Sequence, residues 1–198
     1  MAFNHAAVLG ATRSGKTYFS NHKLHKSFKG VSVFCHFYDS MTDIAGFTAD
    51  KTDSAETLKA GIRKGAKINY ELASNPRQAV NEIGLIYNIC KQSGKHCQIL
   101  IDESHRLIPE GARENIIDDA IRDGLKHKVR LVLISQSPAD IRKASLKQVD
   151  TIYIFRLNEW ENLYFKNYGF NPDKIKNMTA KKYSFVKAEF GKLHLNKV

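Results

Sequence analysis

The sequence has little of what marks a secreted, membrane-spanning or repetitive protein. It holds three cysteines and four prolines among 198 residues, and no apolar run approaches the ~18–20 residues of a membrane-spanning helix. An odd number of cysteines without close pairing (Cys35, Cys90 and Cys97) predicts buried, reduced thiols of an intracellular protein. The eight histidines show no metal-ligand spacing, so the sequence predicts no histidine-based metal site.

Acidic residues are also in short supply, which leaves the chain strongly basic. Against 31 Lys and Arg stand 20 Asp and Glu, a formal net charge of +11. An excess of this size predicts a polyanionic partner, either nucleic acid or an acidic surface. Because 42% of the residues are hydrophobic and no repeat, linker or low-complexity segment interrupts them, residues 1–198 are interpreted as one folded domain.

What the sequence does contain is a phosphate-binding loop. GATRSGKT matches the pattern G-x-x-x-x-G-K-[ST] at every fixed position, between the apolar run AAVL and a predicted helix over residues 18–28. Backbone N–H groups at such a helix start bind phosphate, so Lys16 is predicted to reach the β- and γ-phosphates and Thr17 to bind Mg²⁺. The predicted nucleotide-binding residues are Gly10, Ala11, Thr12, Arg13, Ser14, Gly15, Lys16 and Thr17. The apolar run leads directly into the loop, so we expect no signal peptide.

Two acidic residues follow another apolar run. QILI ends in Asp102 and Glu103. Asp102 is predicted to hold Mg²⁺ through water, and Glu103 to act as the general base that polarises the water attacking the γ-phosphate. The later run LVLI is followed by Ser135 and Gln136, and Gln136 is a candidate for sensing the γ-phosphate or orienting the water. An acidic pair at this distance from a phosphate-binding loop predicts a nucleotide hydrolase.

Apolar strands alternate with amphipathic helices along the chain. Asn75 is the predicted N-cap of a helix that opens with Pro76 and ends near Gly94, and residues 116–125 form a second amphipathic helix. The predicted strands cover residues 6–9, 31–37, 66–70, 98–101, 131–134 and 151–157, and a terminal β-hairpin turns at residues 191–192. We interpret residues 38–55 as a surface excursion and residues 138–146 as a short helix.

This alternation predicts an α/β fold with a mostly parallel sheet, covered by helices on both faces. Ligands of such sheets bind at the carboxyl ends of the strands. The phosphate loop, the acidic pair and Gln136 all lie at predicted strand ends. This consistency indicates a functional site more strongly than any single motif does.

Three segments together resemble the HerA/FtsK superfamily of DNA-pumping ATPases. They are GATRSGKT, ILIDESHRLIP and RLVLISQSPADIRKASLKQVDTIYIFRL, and the resemblance extends over residues 6–157. The third segment is the most specific, because the family typically shows an apolar strand, Ser/Thr-Gln, a proline and a later strand ending in Arg-Leu. Here these are Ser135-Gln136, Pro138 and Arg156-Leu157. Arg13 stands at a variable loop position where a small residue is more usual.

The resemblance implies a RecA-like core that binds ATP and Mg²⁺, assembles into a ring (usually a hexamer) and translocates double-stranded DNA. A chain of this size lacks the extra domains of HerA and FtsK, which makes it similar to the genome-packaging ATPases of tailless double-stranded DNA viruses with an internal membrane. That likeness implies packaging of a viral genome into a preformed capsid. It also implies capsid or membrane vertex proteins as partners, and a location in the host cytoplasm or the virion.

Ring ATPases complete each nucleotide site with an arginine from the neighbouring subunit. In this superfamily that arginine tends to lie just upstream of the strand that ends in Gln, so the candidates are Arg122 and Arg130. We favour Arg122, near the end of a predicted helix, while Arg156 is a third candidate that also suits a contact within its own subunit. The candidate DNA-gripping residues are Arg106, Arg113, Lys126 and Lys128.

Two other interpretations of the motifs stay open. The assembly ATPases of filamentous phages look similar at these motifs but normally carry a transmembrane segment, which this sequence does not show. A non-translocating nucleotide-binding protein or a small-molecule kinase would also carry a phosphate loop. Glu103 argues for water as the phosphoryl acceptor and therefore against a kinase. Stimulation of ATP hydrolysis by DNA would separate a motor from a kinase or a passive binder.

Overall fold

The fold is described from a computed structural model for residues 3–37, 51–52, 55–158, 165–168, 171–180, 184–189 and 192–197. Within these residues, one sheet contains nine strands in the order β3-β4-β2-β5-β6-β1-β7-β8-β9. The strands are β1 (Ala6–Leu9), β2 (Val31–Phe37), β3 (Lys51–Thr52), β4 (Lys67–Leu72), β5 (Cys97–Ile101), β6 (Val129–Ser135), β7 (Thr151–Ile154), β8 (Ser184–Glu189) and β9 (Lys192–Lys197). The α-helices are α1 (Lys16–Phe19), α2 (Ala55–Lys64), α3 (Pro76–Ser93), α4 (Ile116–Asp123), α5 (Lys143–Lys147) and α6 (Pro172–Met178).

The first seven strands pair in parallel, and the last two are antiparallel. β1 lies between β6 and β7, and β6 continues the sheet to β5. Strands β1, β2, β5, β6 and β7 are buried along their whole lengths, as expected for parallel strands covered on both faces. β8 pairs antiparallel with β7, and β9 with β8. The predicted α/β fold and the terminal β-hairpin are therefore confirmed, although the hairpin turn at residues 190–191 lies outside the described residues.

Different helices cover the two faces of the sheet. On one face Phe19 of α1 packs with its ring centroid 4.9 Å from that of Tyr153 and 4.7 Å from that of Phe185. On the other face, the buried residues of three helices join the larger apolar core: Leu58, Ile62, Ile83, Ile86, Ile117 and Ile121 of α2, α3 and α4. Both faces thus bury apolar surface, which stabilises the sheet by roughly 25 cal/mol per Å² removed from water.

Side-chain caps begin helices α3 and α4, and the cap of α3 is the one that the sequence predicts. The Asn75 side chain accepts hydrogen bonds from the N–H groups of Arg77 and Gln78, directly before Pro76. Gly94 ends α3 in the left-handed conformation. At the start of α4, Asn115 and Asp118 form a reciprocal capping box. These caps fix where α3 and α4 begin.

The first helix differs from the regular helix predicted over residues 18–28. It is α-helical only over Lys16–Phe19 and continues as a π-helix over Ser20–His25. A π-helix has a wider turn with i→i+5 hydrogen bonds, so a 3.6-residue pattern does not reveal it. The N–H of Lys26 donates to the carbonyl of Asn21 at 2.9 Å, which closes this wider turn.

The helix predicted from Pro138 is wrong over residues 138–142. The chain forms a turn there, then an antiparallel bridge between Ile141 and Pro109, and α5 begins only at Lys143. The N–H of Arg142 donates to the carbonyl of Ile108 at 3.0 Å. Pairing with the loop after β5 therefore replaces the expected helical hydrogen bonds.

Several elements fall outside the predicted pattern. Helices α2 and α6 and the short strand β3 were not predicted, and β7 is shorter than the predicted strand over residues 151–157. Most of the predicted surface excursion, residues 38–50 and 53–54, lies outside the described residues. In the described part of the chain, no helix has both the length and the apolar character needed to cross a membrane.

Candidate functional site

The phosphate loop begins where β1 ends and is held between the two neighbouring strands. The N–H of Gly10 donates to the carbonyl of Ser135 at 3.2 Å, and the N–H of Ala11 to the carbonyl of Arg156 at 2.8 Å. A Cβ on Gly10 would lie 2.6 Å from that of Phe155, so only glycine fits this approach. Gly15 has a φ of 99°, which favours glycine and lets the chain turn into α1.

The polar side chains inside the loop are positioned for an anion. Lys16 is only 5% exposed, and Ser14 is buried with a hydroxyl that bonds to no group among the described residues. Thr17 is half-buried beside them. A phosphate oxygen would satisfy the Ser14 hydroxyl and pair with the Lys16 ammonium, since both lie at the N-terminus of a helix. The loop residues therefore fit the triphosphate of a nucleotide.

Asp102 and Glu103 follow β5 on the same edge of the sheet. Asp102 is fully buried, and its N–H donates to the carbonyl of Cys35 at 2.9 Å. Burial and the adjacent Glu103 charge raise the pKa of Asp102 to about 7, against the opposing effect of Lys16. Asp102 interacts electrostatically with Lys16, and Thr17 follows Lys16 in the chain. A carboxylate and a hydroxyl are donors that suit Mg²⁺, which takes oxygen ligands and would hold Asp102 ionised. The residues present thus fit the predicted cation.

A continuous set of hydrogen bonds connects the phosphate loop with the second acid. The Thr12 hydroxyl donates to Gln136 Oε1 at 2.6 Å, and Gln136 Nε2 donates to Glu103 Oε1 at 2.7 Å. Glu103 Oε2 lies 3.4 Å from His105 Nδ1, which is 3.1 Å from the Ser135 hydroxyl. The ends of β1, β5 and β6 are therefore joined through side chains, with Glu103 at the centre of the chain of contacts.

An open cavity of about 560 Å³ lies directly over these contacts. Its lining is mainly polar: Ala11, Thr12, Glu103, His105, Gln136, Ser137, Asp140, Arg156 and Asn158. The cavity thus opens on the side of the loop where Gln136 and Glu103 lie. A water molecule or a group from a neighbouring molecule can reach Glu103 through it.

The three candidate arginines occupy different environments. Arg156 is exposed and lines the cavity, and its carbonyl accepts from the phosphate loop. The Arg122 side chain is 49% exposed on α4 and pairs with Asp119 at 2.7 Å and with Glu114 at 3.3 Å. Arg130 is only 5% exposed and donates to the side chain of Gln98. Burial removes Arg130 from the residues that can reach a neighbouring subunit.

His105 is the site residue that the sequence reasoning missed. It follows Glu103 by two positions, on a 3₁₀ turn over Ser104–Arg106. The Ser104 hydroxyl donates to the carbonyl of Ile134 at 3.0 Å, which ties this turn to β6. The pattern Asp-Glu-x-His was visible in the sequence, but only the turn shows that the imidazole reaches back to the Glu103 carboxylate.

The fold and this site define an α/β protein with a P-loop, and solved structures share the architecture. No protein-family model matches the sequence, and no curated protein sequence matches it. The genome packaging NTPase B204 from Sulfolobus turreted icosahedral virus 2, solved with ATP-gammaS, matches with a TM-score of 0.78 at 15% identity, over 98% of this chain and 97% of that chain. Its complex with AMPPCP matches equally well, at 17% identity over the same shares of both chains.

A further solved structure extends the same likeness. The pCW3 conjugation coupling protein TcpA, with ATPgS, matches with a TM-score of 0.64 at 12% identity, over 98% of this chain and 59% of that chain. At these identities the likeness shows the fold, which is the P-loop NTPase fold that B204 and TcpA share. It agrees with the resemblance to HerA/FtsK-type ATPases that the three sequence segments carry.

Proposed function

We propose that this chain is an ATPase motor that translocates double-stranded DNA and packages a viral genome into a preformed capsid. The observation that carries the proposal is the link from Thr12 through Gln136 to Glu103, which joins the phosphate loop to a general base. The fold shared with B204 over nearly all of both chains supports the packaging assignment. The net charge of +11 supports a polyanionic substrate.

Each site residue has a defined part in the proposed hydrolysis. Lys16 binds the β- and γ-phosphates, and the loop N–H groups orient them. Thr17 and Asp102 hold Mg²⁺, which when bound neutralises the charge that develops on the transferring phosphoryl group. Glu103 accepts a proton from the attacking water, so the water oxygen can bond to the γ-phosphorus as the bridging oxygen leaves with ADP.

Gln136 supplies the coupling between nucleotide state and catalysis in this proposal. Its amide contacts both the Thr12 hydroxyl and the Glu103 carboxylate, so a γ-phosphate at the loop competes for the same amide. Glu103 then exchanges its contact with Gln136 for one with the attacking water. Glu103 also favours the motor over a kinase, since a kinase has no use for a base that activates water.

Assembly and partners belong to the same proposal. We expect a homo-oligomeric ring, most simply a hexamer, in which an arginine of one subunit reaches the cavity of the next. Capsid or membrane vertex proteins would hold this ring at the site of packaging, in the host cytoplasm or the virion. The exposed opening over Glu103 is consistent with such a trans contact.

The deciding experiment measures ATP hydrolysis with and without long duplex DNA. We expect Mg²⁺-dependent hydrolysis that duplex DNA stimulates, and loss of nucleotide use in Lys16→Ala. The exposed Lys147→Ala serves as the matched control, because it removes the same charge outside the site. Hydrolysis that duplex DNA leaves unchanged would contradict the motor and favour a passive nucleotide-binding protein. Phosphoryl transfer to a small molecule in place of water would identify a kinase.

A further inference from the structure

We propose that the sheet edge opposite the nucleotide site binds the phosphate backbone of nucleic acid. The carboxyl ends of β1, β5 and β6 carry the phosphate loop, Asp102-Glu103 and Gln136. Because the strands are parallel, the amino ends of β2, β4, β5 and β6 lie together at the other edge, which we call the basic edge. The proposal locates a surface for the DNA of the proposed motor, rests on that proposed function for the identity of the polyanion, and can be tested in the absence of ATP.

The charge distribution along the basic edge is the first observation. The segments that lead into β2, β4, β5 and β6 are KSFKG (residues 26–30), KGA (64–66), GKH (94–96) and Lys128, and none of them contains an acidic residue. Exposed basic side chains of these segments and of the helix ends before them are Lys23, Lys26, Lys29, Arg63, Lys64, Lys95, Lys126 and Lys128. Two acidic residues lie nearby. They are Asp123, which pairs with Lys126, and Asp150, which precedes β7.

The opposite edge has a mixed charge, which makes the contrast informative. There Asp102, Glu103 and Asp140 lie close to Lys16 and Arg156. The net excess of positive charge is therefore concentrated at the basic edge and not at the edge that carries the nucleotide site. Several exposed cations of one sign repel one another, so such a surface gains stability when a polyanion neutralises it.

A cavity of about 340 Å³ opens on the basic edge and supplies the second, independent observation. It is lined by Phe3, Lys23, Leu24, Ser27, Phe28, Lys29, His96 and Arg130, none of them acidic. The Phe3 and Phe28 rings stack with centroids 6.1 Å apart, and the His96 ring meets Phe3 edge-on at 4.8 Å. Cationic groups around aromatic rings are the usual composition of sites that track a nucleic-acid strand.

Arg130 forms the base of this cavity. Its side chain is 5% exposed, its Nε donates to Gln98 Oε1 at 2.7 Å, and its guanidinium lies 4.9 Å from the centre of the Phe28 ring. Burial lowers the pKa of Arg130 from its ordinary value. A phosphate seated between the exposed Lys23 and Lys29 would lie over this fixed positive charge, with the sugar against Phe28.

The packing of the aromatic rings in this cavity favours nucleic acid over a lipid surface as the binding partner. Membrane-docking aromatic residues must be free to insert, whereas Phe3 and Phe28 are half-buried and packed against each other and against Arg130. The shared chemistry is a phosphate attached to a sugar and a base. Its source is either a nucleic-acid strand or a free nucleotide, and the binding assays distinguish the two.

The test is equilibrium binding of a short fluorescent DNA duplex to the full chain without ATP, at several salt concentrations. The variant pair is Lys23→Gln with Lys29→Gln, and the matched control pair is Lys147→Gln with Lys174→Gln, which removes the same charge from exposed positions away from the cavity. The cavity pair is expected to lower affinity roughly tenfold and to reduce the salt slope by about 1.8, whereas the control pair changes little. An equal loss in both pairs, or none in the cavity pair, would overturn the proposal.

Two further titrations separate the alternative occupants. If the cavity pair weakens binding of AMP but not of duplex DNA, the cavity takes free nucleotides and the backbone proposal is wrong. If it weakens binding to vesicles of anionic phospholipid but not to DNA, the edge is a membrane-docking surface and the proposal is again wrong. Basal hydrolysis of the cavity pair should equal that of the parent, because neither lysine lies at the nucleotide site. If duplex DNA does not stimulate ATP hydrolysis by the parent protein, the proposed motor function is contradicted. That result would not contradict the binding of nucleic acid at the basic edge.

Discussion

Glu103 has a backbone conformation that residues with side chains seldom adopt. Its φ of 50° and ψ of 41° lie in the left-handed region, where a non-glycine residue costs roughly 1–3 kcal/mol. The N–H of Glu103 donates to Asp102 Oδ1 at 3.0 Å, and the next residue, Ser104, is tied to β6. The surrounding contacts thus hold a strained residue whose carboxylate meets Gln136 and His105, as expected where geometry serves a reaction.

Replacing Glu103 by Gln separates binding from chemistry. Glu103→Gln should bind ATP with the affinity of the parent but lose hydrolysis by on the order of 10²–10⁴, because the base is removed while the phosphate contacts stay. Nucleotide binding by fluorescence and turnover by phosphate release measure the two quantities. Glu110→Gln is the control, since Glu110 is exposed and contacts Lys143. Turnover at the parent rate in Glu103→Gln would remove Glu103 from the role of base.

Two buried histidines predict how stability depends on pH. Burial lowers the pKa of His5 and of His25 to about 4, so both are neutral in the folded chain at pH 6. The unfolded chain titrates near 6.5 and takes up protons first as the pH falls, so the stability these residues contribute is present above pH 6.5 and is lost towards pH 4. Asp102, whose pKa is raised, acts in the opposite direction, because the folded chain then binds the extra proton.

The histidine effect is isolated by comparing a variant with its parent. Between pH 6.5 and 5, the parent should lose about 1.5 kcal/mol more of its unfolding free energy than His25→Gln does, because the glutamine does not titrate. Urea unfolding at the two pH values measures the difference. His96→Gln, at an exposed position, should respond like the parent. An identical pH response in His25→Gln and the parent would show that His25 is not held neutral.

At the scale of elements, the sequence predicts helix bounds best where residues within one turn of the helix end determine them. Asn75, Pro76 and Gly94 bound α3 as expected, because a cap acts within one turn. Gly84 within the same helix was not predictable, since its reason lies elsewhere: a Cβ there would come within 3.2 Å of Ile116 on α4. The helix predicted from Pro138 fails for a similar reason, because Ile141 forms a bridge with Pro109 and the N–H of Arg142 donates to the carbonyl of Ile108. In both cases, the glycine in α3 and the missing helix after Pro138, the structure is determined by contacts with segments that are distant in the sequence.

The packing of α3 gives a paired prediction within one element. Ile83 is fully buried in the core, whereas Leu85, two positions later, is 40% exposed. Ile83→Ala should therefore lower the unfolding free energy by about 2–5 kcal/mol, because it leaves a cavity that the sheet cannot close. Leu85→Ala should cost less than about 1 kcal/mol. Equilibrium unfolding in urea measures both, and equal losses would contradict the assigned face of the helix.

At the scale of the whole molecule, parallel strands separate two kinds of chemistry. The sequence predicts that the motifs of the candidate nucleotide site lie together at the carboxyl ends, because each motif follows an apolar run and such ends share one edge. The contacts between the motifs were not predictable from the sequence. Gln136 hydrogen-bonds to both Thr12 and Glu103 only because the side chains at the ends of three strands have the required geometry. The basic edge was not predictable either. Its charged residues are far apart in the sequence and come close together only when the strands align in the sheet.

In the ring that we propose, a trans-acting arginine would belong to the assembled molecule, and the environments of Arg122 and Arg156 differ in a way that bears on this role. Arg156 lines the cavity, and its own carbonyl holds the phosphate loop, so its side chain suits the nucleotide of the same subunit. Arg122 is exposed on α4, outside the cavity lining, where a side chain can project towards a neighbour. Its pairing with Asp119 and Glu114 is a surface contact that contributes little, about 0–1 kcal/mol, and can be exchanged for a phosphate.

Mixed rings test this assignment directly. Arg122→Ala and Lys16→Ala proteins should each be inactive alone, and their mixture should regain part of the activity, because some interfaces then join an intact phosphate loop to an intact Arg122. Arg156→Ala mixed with Lys16→Ala should regain none, since both changes disable the site within one subunit. Light scattering confirms that the variants co-assemble, and phosphate release measures the activity. Recovery with Arg156→Ala but not with Arg122→Ala would reverse the assignment, because only a residue acting across the interface can be supplied by a neighbouring subunit.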